Sequence, residues 1–185
     1  DLLQHKVIGK PYIEKSPEGP VGIAYTLVSQ ARGRGGVKYR PGKAGQPYES
    51  VAEATGEGDH VSFTTTQTYI IYPNGTVVLA SSIVTSNPDL ALPRLGYEVK
   101  LPSQFNQYAY YGRGPLNNYN DRKTGSFIGL YKSTVQEQFV NFPKPQSMGN
   151  REDVRWCSLR DDEGTGLLFV SELGTMSTSA LPWSA

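Results

Sequence analysis

The chain has 185 residues, of which 37% are apolar and 19% charged, with a net charge of +1. That length suits one domain with a sizeable core, and so even a charge balance calls for no nucleic-acid or acidic partner. No stretch is long and apolar enough to form a membrane-spanning helix, and no signal peptide opens the sequence. Twelve tyrosines with 20 glycines and 13 prolines favour strands and turns over helices. Cys157, the one cysteine, cannot form an internal disulfide, which leaves cytoplasmic and periplasmic locations equally open.

In chain order, the first strand is expected over His5–Ile8 and the second over Gly22–Gln30. Residues 31–60 read as a long Gly/basic loop. Arg32-Gly33-Arg34-Gly35-Gly36 with Lys38, Arg40 and Lys43 has the composition of an RGG nucleic-acid contact. Such segments usually repeat many times, so a solvated loop is the simpler reading, with Val37 and Tyr39 able to form a short edge strand. Thr64–Tyr72, Pro73-Asn74-Gly75-Thr76 and Val77–Thr85 then predict a β-hairpin, because Thr-, Tyr- and Ile-rich segments flank a cluster of turn formers.

Further strands are expected over Arg94–Lys100, Gln107–Tyr111, Thr134–Val140, Val154–Arg160 and Leu167–Glu172, each bounded by Gly, Pro, Asn or Asp. Asp161-Asp162-Glu163-Gly164-Thr165-Gly166 reads as a hairpin tip rather than a calcium loop. Many short strands without interleaved helices indicate an all-β, antiparallel β-sandwich in a single domain, residues 1–185. The chain opens on Asp1 without an initiator methionine and closes on Trp183-Ser184-Ala185. Both ends are expected to be cuts inside a longer protein, so the sandwich is expected to be truncated.

The stretch richest in chemistry starts at Tyr111. Gly112, Arg113, Gly114, Pro115, Asn117, Asn118, Tyr119, Asp121 and Arg122 form a loop in which glycines permit close backbone approach and proline stiffens the turn. Asn117 and Asn118 can bond the local backbone, and Asp121 with Arg122 is expected to lock the loop through charge-assisted hydrogen bonds. A rigid structural corner is the simplest role for it, and sugar contact the alternative. Downstream, period-two geometry over Arg151–Trp156 places Arg151, Asp153 and Arg155 on one face and Trp156 on the other. These four are the carbohydrate-facing candidates, as a polar lining with an aromatic for stacking. The competing reading has Trp156 in the core and the charges paired with one another. His5 and His60 lack ligand-like neighbours, no Cys/His cluster has metal spacing, and no nucleophile–base set stands out. No catalytic and no metal-binding residue is therefore assigned.

The run Gly112-Arg113-Gly114-Pro115-Leu116-Asn117-Asn118-Tyr119-Asn120-Asp121-Arg122 resembles the GxGPxENYxDR signature of the large β-galactosidases of glycoside hydrolase family two. Other segments match in order. Arg94-Leu95-Gly96 precedes the signature, while Pro143-Lys144-Pro145-Gln146, Gly149-Asn150-Arg151-Glu152-Asp153-Val154-Arg155-Trp156 and Met176-Ser177-Thr178-Ser179-Ala180 follow it. Asp1-Leu2-Leu3 fits the end of the family's AGLD run. Asn117 and Ser147 stand where the family pattern carries Glu, which puts any role of those carboxylates in doubt.

The resemblance implies the C-terminal domain of such an enzyme, a supersandwich similar in fold to galactose mutarotase. It implies that both catalytic glutamates, about 5–5.5 Å apart in a retaining glycosidase, lie on an upstream TIM-barrel domain. That barrel is then this chain's partner, and a galactoside is met only within the full enzyme. Any Mg or Na requirement would belong to the barrel, leaving no cofactor here. By the same resemblance this chain acts as a non-catalytic scaffold and part of the active-site wall. A stacking tryptophan of the family lies beyond the closing segment, so Trp183 is not given that role. Incomplete sheets with exposed edges would favour a homo-oligomer. The alternatives are a free-standing carbohydrate-binding or mutarotase-like protein, and, last, RNA binding through Arg32–Lys43. A mutarotase needs paired histidines and a carboxylate, which His5 and His60 supply poorly.

Overall fold

The computed structural model describes residues 4–31, 37–40, 49–52, 61–88, 94–143 and 146–183. Among them every sheet is antiparallel and no α-helix occurs, so the chain is all-β, with the sheets a sandwich is made from. It divides into two compact units, Asp1–Leu95 and Gly96–Ala185, where the sequence reading has one domain.

In the first unit, β1 (Gln4–Lys15), β2 (Val21–Ala31), β5 (Val61–Ile71) and β6 (Val77–Thr85) form a sheet in the order β1-β2-β5-β6. The expected hairpin is present as β5 and β6, with Ile71 paired to Val77. Its turn closes through the Gly75 N–H to Tyr72 O at 3.0 Å and the Thr76 N–H to Asn74 Oδ1 at 3.0 Å. Gly75 sits at φ +86°, a conformation that disfavours any side chain. Register gives the sheet two unlike faces. One carries rows such as Ile13–Ile23–Tyr69–Leu79, and the other carries Thr64, Thr66 and Thr68. Within the segment expected as a loop, β3 (Val37–Arg40) pairs with β4 (Glu49–Ala52). The rest of 32–60, including His60 and most of the RGG-like run, lies outside the described residues.

In the second unit, β7 (Gln107–Gly114), β8 (Phe127–Thr134), β10 (Trp156–Arg160) and β11 (Gly166–Val170) form a sheet in the order β11-β10-β7-β8. A shorter pair joins β9 (Arg151–Val154) to β12 (Met176–Thr178). Tyr108, Tyr110, Val154, Cys157 and Ala180 make the buried core, with Tyr131, Val135, Leu159, Phe169 and Met176 packed around it. The rings of Tyr108, Tyr110 and Tyr131 stack in sequence at 5.2 and 5.4 Å.

Three strand expectations need correction. Arg94–Lys100 is not a strand, and Leu95, Tyr97 and Val99 are exposed along it. Thr134–Val140 is not a strand, because Thr134 ends β8 and a 3-10 turn follows over Gln136–Gln138. That turn is held by a reciprocal pair in which the Thr134 N–H donates to Glu137 Oε2 and the Glu137 N–H donates to Thr134 Oγ1. Val154–Arg160 is divided, since the chain bends at Arg155 between β9 and β10. The hairpin tip at Asp161 is as expected, with Asp161 Oδ1 accepting the N–H groups of Glu163 and Thr165.

Candidate functional site

The signature loop leaves the end of β7, and its glycines are required by space. A Cβ on Gly112 would lie 2.6 Å from Val154 Cγ2 and 2.9 Å from Val154 Cα, while one on Gly114 would collide with the Tyr110 hydroxyl and the Tyr131 ring. Glycine therefore lets β9 and Tyr110 pack directly against this end of β7. The Gly114–Pro115 bond is cis.

Asn118 is the hub of the loop and is fully buried. Its Nδ2 donates to Arg113 O at 3.0 Å and to Leu116 O at 2.9 Å, and its Oδ1 accepts the Glu152 N–H at 2.8 Å. Its own N–H donates to Asn150 O at 2.9 Å, and its carbonyl accepts Asn150 Nδ2 at 2.8 Å. One side chain thus joins the loop to β9 with both amide hydrogens and its oxygen in use.

A charged brace makes the second join. Asp153 accepts from Arg113 Nε, and Lys123 Nζ lies 3.4 Å from its other oxygen. Arg113 Nη1 also donates to Ser126 O at 2.8 Å. The Arg113 hydrogen bond, followed by Lys123, holds the Asp153 carboxyl below the usual aspartate value. Arg122 plays another part than expected. It stacks on Tyr119 at 4.5 Å and reaches the Phe142 ring at 6.0 Å, and no ion pair joins it to Asp121. The electrostatic lock is Arg113 with Asp153, a pair forty residues apart in sequence.

Arg151, Asp153 and Arg155 do not share one face. Asp153 sits at φ +54°, which interrupts the two-residue alternation, and the bend at Arg155 follows directly. Arg151 is buried, its Nε donating to the Tyr110 hydroxyl at 2.8 Å and its Nη1 to Asn150 O at 2.9 Å. Arg155 lies over the Tyr111 ring at 5.6 Å, and its Nη1 donates to Asp153 O at 2.6 Å. Tyr110 and Tyr111 are adjacent on β7 and point to opposite faces. Arg151 therefore belongs to the core side and Arg155 to the outer side.

Trp156 pairs in register with Tyr111 and Val170, so it shares Arg155's side and stands outside the core cluster. The outer face carries the row Leu130–Tyr111–Trp156–Val170, of which Tyr111 is 40% exposed. Of the four carbohydrate-facing candidates, Arg155 and Trp156 come together there, Asp153 lies at the brace, and Arg151 is inside. Sequence reasoning missed Lys123, Ser126, Asn150 and Tyr110. Lys123 follows Arg122 directly, but nothing in its spacing tells that Asp153 arrives beside it.

Two other titratable groups of this unit, Cys157 and Tyr108, lie in the core. Burial pushes the Cys157 thiol up to about 11. Burial likewise raises the Tyr108 hydroxyl, which lies 2.8 Å from Thr178 Oγ1. Among the described residues no group of three or more His, Cys, Asp or Glu is placed to hold a metal ion, and no helix is long and apolar enough to cross a membrane.

Residues 28–185 match the family model described as β-galactosidase small chain. The chain is 38% identical over 117 residues to the β-galactosidase of Priestia megaterium, a match covering 63% of this chain and 11% of that protein. It is 36% identical over 120 residues to that of Lactobacillus delbrueckii subsp. bulgaricus, covering 65% and 12%. It is 34% identical over 114 residues to that of Kluyveromyces lactis, covering 60% and 11%. The matched segment spans about a tenth of the length of these relatives. Since the family model covers most of the sequence, including the braced loop and β9 to β12, the chain belongs to the β-galactosidase small chain family.

Proposed function

We propose that this chain is the non-catalytic C-terminal sandwich domain of a β-galactosidase, acting as scaffold and as part of the wall of its active site. The observation that carries this reading is the cross-braced corner, in which Asn118 and the Arg113–Asp153 pair tie the signature loop to β9. The contacts of Asn118, Arg113 and Asp153 hold the corner rigid, as a wall segment must be held if it is to shape a cleft. The working partner is the catalytic barrel of the same enzyme, and terminal β-D-galactosides, hydrolysed with retention, are the substrate class of the whole.

The test uses the intact enzyme and separates the two roles. Arg155→Ala and Trp156→Ala change the outer face, whereas Arg151→Ala removes a buried support. A wall role predicts that the outer-face variants change kcat or KM for lactose while the melting temperature holds. Unchanged kinetics in both would reject the wall role. A fall in stability for Arg151→Ala alone would then leave the scaffold.

A second reading, carbohydrate binding by the chain itself, is favoured by Tyr111, Trp156 and Arg155 on one accessible face. Titration of galactose against the chain by NMR decides it, and an absence of shift changes at Trp156 rejects it.

A further inference from the structure

We draw no further inference here: the strongest candidate, the Arg122 guanidinium lying over the rings of Tyr119 and Phe142 beside the signature loop, belongs to the site already described, and nothing in the structure shows what would approach it.

Discussion

Asn118 shows how a residue that reads as an ordinary loop former becomes the least replaceable one. The sequence places two asparagines after Leu116, and both are apt to bond the nearby backbone. Only the second is buried, with its amide hydrogens on two carbonyls of its own loop and its oxygen on the Glu152 N–H. Replacement by Ala removes three hydrogen bonds made by a fully buried side chain, and Asn118→Ala is expected to lower stability by roughly 3 kcal/mol. Urea denaturation measures this, and a loss no larger than that of an exposed loop asparagine such as Asn120 would contradict the hub role.

Asp153 sets a pH dependence whose sign follows from its partners. Hydrogen bonding to Arg113, and next to Lys123, lowers its pKa below 3.8. A carboxylate depressed in the folded state stabilises fully above its unfolded value, and the contribution is lost as pH falls through the folded value. Stability should therefore fall on acidification below 3.8, and Asp153→Asn should flatten that part of the profile. Thermal melts of both proteins across the acid range check it, and identical slopes would count against the brace.

At the scale of elements, strand existence was legible wherever the local pattern and its turn agreed. The β5–β6 hairpin is the clearest case, because Pro73-Asn74-Gly75-Thr76 supplies the turn and both flanks suit a pleated surface. Thr134–Val140 misled for a reason also present in the sequence. Thr134-Val135-Gln136-Glu137 is the pattern of a capping box, and the reciprocal bonds form a 3-10 turn at the point where β8 ends. β8 itself was overlooked because Gly129, Lys132 and Ser133 weaken its alternation, and pairing to β7 over its whole length makes it a strand regardless. At β9 the alternation was extrapolated through Asp153. The left-handed backbone there is imposed by the brace and the bend, so Arg151 and Arg155 part to opposite sides.

Across the whole molecule, burial is uneven between the two units. The stacked tyrosines, Val154 and Cys157 make a defined core in the second unit, whereas the first unit's sheet keeps Val7, Ile13 and Ile83 substantially exposed. Amide protection follows burial and packing. Native-state hydrogen exchange is expected to be slowest at β7 and β10 and faster at β1. Equal protection of β1 and β7 would show that the first sheet is covered in solution.

The sequence by itself determined the all-β class, the central hairpin, the hairpin tip at Asp161 and the family, because these depend on local propensity and on ordered motifs. Tertiary structure alone decided which charges meet. Arg113 finds Asp153, and Arg151 goes inside beneath Tyr110, because β9 packs against β7 across a long separation in sequence. Local patterning carries which face a regular strand presents. It carries no information about the neighbour that strand acquires, nor about the single left-handed residue that turns one side chain away from the face its position predicts.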